Sequence, residues 1–203
     1  REALVPFPVA IINDDEPYHY QPRWINYLAA VAAEHGAKWI IPFDADEFWY
    51  SPHGTITAVL DKIPETYDTL HVKSIQMRDF ECRFTDEEGM GKVAYRWTPN
   101  RVVANGNHMV YPVLHDLVEG VLELREIQFR SFDHMLDKCV ERVKMLDPTL
   151  PYSEGTHQRV LATMTGEEQA QWWAQRMARP VTYDPIPRIG GGSWANGMPC
   201  MRR

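Results

Sequence analysis

The apolar positions of this chain change rhythm several times, and each change marks an element. Residues 8–12 ("PVAII") are apolar throughout and predict a short buried strand, closed by the polar turn "NDDEP". Trp24, Ile25, Leu28, Val31 and Ala32 then recur every three or four residues, which predicts a helix over 22–35. Pro22 falls in its first turn and Gly36 where a left-handed terminator belongs. Residues 38–43 ("KWIIPF") are too apolar to alternate, as in a strand covered on both faces, and Pro42 sits near its end, where a missing N–H is tolerable. Thr55 opens a short helix with Ile56, Val59, Leu60 and Ile63 on one side, and 69–75 ("TLHVKSI") alternates like a strand.

From 80 to 129 the runs "KVAYRW", "RVVA", "HMVYPV" and "VLELREIQF" are strand-like and separated by Gly, Asn and Pro, the pattern of a more antiparallel half. Phe132, Met135, Leu136, Cys139, Val140, Val143 and Leu146 then form a helical stripe behind Ser131, a good N-cap. Thr165 and Glu168 have capping-box spacing and open a last helix, followed by the Gly-rich tail "IGGGSWANGMPCMRR", expected to be mobile. No internal repeat interrupts this order. It is an α/β layout whose parallel strands turn their carboxyl ends towards one crevice, where such sheets bind ligands.

Composition narrows the class. At 203 residues, 44% hydrophobic and 24% charged, the chain has the make-up of one ordinary globular domain, or a domain with a tail. The net charge of -7 argues against nucleic-acid binding. No apolar run is long enough to span a bilayer and no signal-peptide pattern opens the chain. Cys82, Cys139 and Cys200 are odd in number and scattered, which fits a reducing, cytoplasmic setting, with Cys139 as core packing. Arg1 begins the chain as though already inside a fold, so a cropped chain is expected.

Candidate chemistry concentrates in "WIIPFDADEFWY" (39–50), where three carboxylates follow a buried strand at once. Asp44 and Asp46, one residue apart on a turn, can aim oxygens at one point, and carboxylates are hard ligands suited to Mg²⁺ or Mn²⁺. Such ions take one or two protein carboxylates and leave the other positions to water and phosphate. An ion there would supply the local positive charge that an acidic protein needs to hold a diphosphate. The plainer alternative is a solvated turn that caps the next segment.

"HGAKWIIPFDADEFWY" resembles the Asp-x-Asp region of GT-A-fold glycosyltransferases of the family 2 type, in particular a bacterial subgroup whose motif runs Asp-Ala-Asp-Glu-Phe. Upstream, "HYQPRWINYLAAVAAEHG" is similar to the preceding helix of that subgroup, with Gln21, Trp24 and Asn26 in place. Downstream, "GNHMV" resembles its Gly-x-His segment, and "IQFRSFDHMLDKC" its Arg-Ser-Phe helix start, with Arg130, Ser131, Phe132, Met135 and Lys138 in register. The likeness covers residues 8 to about 145.

The resemblance implies a GT-A, Rossmann-like mixed sheet flanked by helices over 1–147, lacking the first strand-helix-strand unit, with a helical extension and tail over 148–203. It implies a metal-dependent, inverting transfer of sugar from a nucleotide-sugar donor to a hydroxyl of a glycan, lipid or protein acceptor. Asp44 and Asp46, with His108 as a third contact, would hold Mn²⁺ or Mg²⁺; Asn26, Asp44, Ala45, Asp46, Arg130 and Lys138 would meet the nucleotide sugar. Lys92 and Arg101 are weaker anion contacts by position. Asp79 or Glu81 would take the acceptor proton, with Asp116 and Glu119 still open, and Glu47 would orient the ligands or cap the turn.

Trp49, Tyr50 and Trp97 would stack on a sugar or fill the core. Trp172 and Trp173 would lock the last helix down, or cover an acceptor site or membrane surface. His115, His134 and His157 are read as structural or exposed. One departure stands out: the subgroup often has a His where this chain has Glu126. A metal-dependent phosphohydrolase or nucleotidyltransferase, and an inactive sugar-nucleotide-binding module, remain rival readings.

Overall fold

The first helix ends where Gly36 predicts. α1 (Gln21–Glu34) has Pro22 in its first turn and stops as Gly36 takes φ +89°. The Gly36 N–H then reaches Ala33 O at 2.9 Å and the Ala37 N–H reaches Ala32 O at 3.0 Å, which satisfies carbonyls the helix end would orphan. The computed structural model describes residues 9–13, 15, 18, 20–78, 83–113, 115–117, 120–146 and 156–183. The predicted strand at 8–12 is a correction: residues 9–12 lie in no strand, and Val9, Ile11 and Ile12 are exposed. A strand needs a neighbour for its ladder, and no described strand pairs with them.

The strand predicted over 38–43 is shorter than its apolar run. β1 (Trp39–Ile40) sends Trp39 to one core and Ile40 to another, as expected for a strand covered on both faces. The chain then leaves the sheet near Pro42, which has no N–H to give a ladder. β2 (Glu47–Tyr50) follows at once, and then α2 (Ile56–Leu60), where Thr55 Oγ1 accepts the Ala58 N–H at 3.3 Å.

The remaining strands are β3 (Thr69–Met77), β4 (Arg83–Arg96), β5 (Val102–Val103), β6 (Val110–Tyr111), β7 (Asp116–Leu117), β8 (Glu123–Glu126) and β9 (Thr182–Tyr183). They make a mixed sheet in the order β1-β4-β3-β8-β2, with β7 pairing β3 and β9 pairing β4, while β5 and β6 pair separately. β1 and β3 are both antiparallel to β4, and β8 is parallel to β3, so β1, β3 and β8 run the same way. Their carboxyl ends point the same way, as the layout predicted for parallel strands, but β1 stops level with Thr69 at the start of β3. The antiparallel β4 between β1 and β3 is what the local pattern did not reveal.

Register fixes what each face carries. Leu70, Val72, Ala94 and Leu124 line one face and bury against Leu60 and Ile63 beside α2. Val93 and Tyr95 line the other with Ile40, Val103, Val110 and Ala29 of α1. Between Val72 and Ser74 the register slips from Lys92 to Gly89, a bulge in β4. Beyond that bulge the first face turns polar.

A third core joins the C-terminal helices to the sheet. α3 (Phe132–Met145) starts at Ser131, whose Oγ accepts the His134 N–H at 3.1 Å. α4 (Thr156–Thr163), which the pattern did not predict, and α5 (Gly166–Ala178), which it did, pack on it. Phe129, Met135, Cys139 and Leu161 are buried together there, with Trp172 and Trp173 against them. Burial pushes the Cys139 thiol up, in keeping with a packing role. Among the described residues no helix is long and apolar enough to cross a membrane. Cys82, Cys200 and the Gly-rich tail lie outside the described residues.

Candidate functional site

β1 lies at one end of the strand order and β2 at the other, so residues 41–46 must carry the chain across the sheet. The crossing closes on itself: the Glu47 N–H bonds Asp44 O at 3.0 Å, and the Asp44 N–H bonds Glu47 Oε2 at 3.2 Å. Glu47 of β2 nevertheless meets Lys92 of β4 at 2.8 Å, with β3 and β8 between those strands in the order. The sheet therefore curls, and the acidic turn sits in the curl.

Each aspartate is met by a lysine. Asp44 accepts from Gln21 Nε2 at 3.0 Å and from Lys92 Nζ at 3.2 Å, and its side chain is 40% exposed. Asp46 pairs with Lys138 Nζ at 2.5 Å, and that ammonium also donates to Gln128 O at 3.0 Å. The Asp46 carbonyl accepts the Ile127 N–H at 3.0 Å, which ties the turn to the end of β8. Lys92 gives its third proton to Gly106 O at 2.8 Å, and the Gly106 N–H donates to Gln21 Oε1 at 2.9 Å. Gln21 and Lys92 thus bind the turn, α1 and the 105–107 loop into one network.

The electrostatics follow from burial. Glu47 is almost wholly buried, and desolvation holds its carboxyl above the usual value despite the Lys92 ammonium beside it. Burial works against the charge on Lys92 as well, but the hydrogen bond and charge of Glu47, helped by Asp44, outweigh it and raise Lys92. The three carboxyl groups of the turn thus share two ammoniums.

The structure gathers some of the residues expected here and disperses others. Asp44, Asp46 and Lys138 come together although Lys138 is far away in sequence. Ala45 is exposed at the tip between them, and Arg130 is exposed at the start of α3, near enough to Lys138 for both to hold the His134 imidazole down, after burial. Asn26 serves the scaffold instead. Its Nδ2 donates to Pro22 O and Val103 O at 2.7 and 3.3 Å, and its Oδ1 accepts the Val103 N–H at 2.8 Å. Both amide protons are used, one within α1 and one in pinning α1 to β5.

His108 places Nδ1 2.7 Å from Gly91 O, so that nitrogen carries the proton and a neutral ring leaves a lone pair on Nε2. That is the tautomer of a metal ligand. Yet among the described residues no group of three or more His, Cys, Asp or Glu is placed to hold a metal ion, so the expected trio with Asp44 and Asp46 is not assembled. An ion at this turn would rest on the two aspartates alone. Their hard oxygens and partial exposure fit Mg²⁺ or Mn²⁺, which keep most positions for water and phosphate.

Asp79, Glu81 and Glu119 lie outside the described residues, and Asp116 is placed only by its backbone, opposite Thr69. Arg101 is not at the site: its guanidinium is buried against Asp68, Thr69 and Pro112 O, a brace for the loops at the other end of β3. Trp49 donates its indole N–H to Glu47 at 3.2 Å, Tyr50 is buried beside Arg125 and Glu123, and Trp97 packs against the α1-side core. Trp172 and Trp173 stand edge-on and tilted to Phe129 and Phe132 at 6.0 and 6.1 Å, which is the locking role.

A second polar group borders the turn and was not read from the sequence. Ser74, Gln76 and Glu126 rise from one face of β3 and β8, Glu126 directly opposite both Gln76 and Glu47. Gln76 Nε2 and Ser74 Oγ both donate to Glu126 Oε2, at 2.7 and 3.1 Å. Arg176 of α5 is buried over Phe129 and Trp172 and feels the Glu126 charge. The signal lay in Ser74 and Gln76 continuing the face of β3 that begins with the apolar Leu70 and Val72. Comparison with protein-family models, with curated proteins and with solved structures found no match to this chain.

Proposed function

We propose that the chain is a divalent-metal-dependent glycosyltransferase that draws a sugar from a nucleotide-sugar donor, on a GT-A-type sheet, and passes it with inversion to a glycan, lipid or protein hydroxyl. The observation that carries this reading is the pairing of partly exposed Asp44 and Asp46 with the ammoniums of Lys92 and Lys138 at the carboxyl edge of the parallel strands. The sequence likeness of "DADEF" and of the Arg-Ser-Phe helix start supports it independently.

A diphosphate needs positive charge from more than one side. Bound Mn²⁺ or Mg²⁺ would supply Lewis-acid neutralisation of that charge, with Asp44 and Asp46 as its protein ligands. Lys138, 31% exposed and at hydrogen-bond distance from Asp46, need only turn from carboxylate to phosphate oxygens to serve the same anion, while the buried Lys92 holds Asp44 in place. Arg130, exposed nearby, adds a bidentate donor. Glu47, buried and bonded to Lys92 and Trp49, fixes the turn and does not touch the donor.

The test is product analysis with UDP- and GDP-sugars in Mn²⁺. Release of nucleoside diphosphate that stops on chelation is expected. Release of nucleoside monophosphate would instead mean attack at phosphorus, as in a phosphohydrolase, and would overturn the reading.

A further inference from the structure

Gln76 is buried, yet its amide is only half satisfied. Nε2 donates to Glu126 and, at 3.5 Å, to Ser74 Oγ, while no described residue donates to Oε1. A buried acceptor without a donor is costly and calls for a partner. Glu126 takes the bonds from Gln76 and Ser74 on one oxygen, Oε2. A buried acceptor without a described donor therefore lies against a carboxylate.

The backbone beneath is shaped to keep them there. A Cβ on Gly89 would lie 2.7 Å from Gln76 Nε2 and 2.9 Å from Ser74 Oγ, so any larger residue would push the pair away from Glu126. Gln76 Oε1 is an acceptor, which a phosphate dianion cannot satisfy. A cation is a poorer match than a hydroxyl, because Arg176 already sets positive charge near Glu126. A ligand with adjacent O–H groups, such as a sugar or polyol, can give one to Gln76 and one to Glu126. The place is also apt: Glu126 is opposite Glu47 in register, and the next residue, Ile127, is held by the Asp46 carbonyl.

We propose that Gln76 and Glu126 form the acceptor-hydroxyl site of the transfer, with Glu126 as its base, an assignment that rests on the glycosyltransferase reading. The acceptor oxygen forms its bond to the anomeric carbon as the bond from that carbon to the diphosphate oxygen breaks. The bonding pair leaves with the diphosphate, and the hydroxyl proton passes to Glu126 Oε1. Gln76 accepts a second hydroxyl of the same acceptor and, with Ser74, positions the carboxylate.

The experiment measures nucleoside diphosphate release in Mn²⁺ from UDP-glucose, UDP-galactose, UDP-N-acetylglucosamine and GDP-mannose, with methyl glucoside as acceptor and UDP and GDP affinity as the control. Glu126→Gln is expected to lower kcat about 100-fold or more, the usual reach of a general base, with nucleoside diphosphate affinity unchanged. Should that variant not fold, Glu126→Asp carries the test, with at least a roughly tenfold loss in kcat expected from the shortened arm. Near-wild-type turnover by either variant overturns the base assignment and leaves the transferase reading standing. Absence of release from every donor by the wild-type chain overturns both.

Discussion

Lys92 sets an ammonium only 6% exposed within 2.8 Å of Glu47 and 3.2 Å of Asp44. Removing one member of a buried pair strands the other, so Lys92→Met should cost about 3–5 kcal/mol in denaturant unfolding. The double variant Lys92→Met/Glu47→Leu should recover much of that loss, because neither charge then stays buried alone. The Lys92 value is raised above 10.5, so the contribution of its charge is complete below that pH and is lost as pH climbs through the folded value. Asp46 and Lys138 are more open, and Asp46→Asn should change stability by less than about 1 kcal/mol while removing metal-dependent nucleotide binding. The acidic turn was legible because its residues are neighbours in the chain, and Lys138 because it follows the Arg-Ser-Phe helix start at a fixed spacing. Lys92 was undervalued, and Gln76 unread, because their partners lie 48 and 50 residues away and nothing local announces them.

The helices α1, α3 and α5 were read to within about a residue because their stop and start signals are local, whereas α4 was missed. Thr165 and Glu168 make both halves of the capping box that opens α5. Thr165→Ala should therefore cost about 1 kcal/mol in thermal or denaturant melts. The loss should show first as easier proteolysis around α5, whose Trp172 and Arg176 rest on Phe129. Gly106 makes a similar local point in the 105–107 loop: at φ +75°, with a Cβ position 2.5 Å from His108 Nε2, a side chain there would be strained and would displace the His108 ring. Gly106→Ala should cost about 1–2 kcal/mol from backbone handedness alone. Strands were less legible. The run at 8–12 has a strand's composition without a described partner, and the 38–43 run keeps only two residues in the sheet, since pairing is decided by distant segments.

At the scale of the whole molecule, β1, β3 and β8 bring the acidic turn, the Gln76–Glu126 group and the start of α3 to one edge. The sequence pattern foresaw strands running the same way, though not the antiparallel β4 that lies between β1 and β3 and brings Lys92 to the acidic turn. The curl of the sheet then lets the first and last strands in the order share a site, which no one-dimensional pattern encodes. A chain of net charge -7 thereby sets two ammoniums, one buried and one partly exposed, beside its acidic turn. Calorimetric titration of UDP and GDP, with Mn²⁺ and with EDTA, into the wild-type chain and Asp46→Asn tests this most directly. The account predicts binding of at least one nucleotide by the wild type in Mn²⁺ alone, and affinity at least tenfold weaker in the variant. Equal binding in EDTA, or by Asp46→Asn, would contradict it.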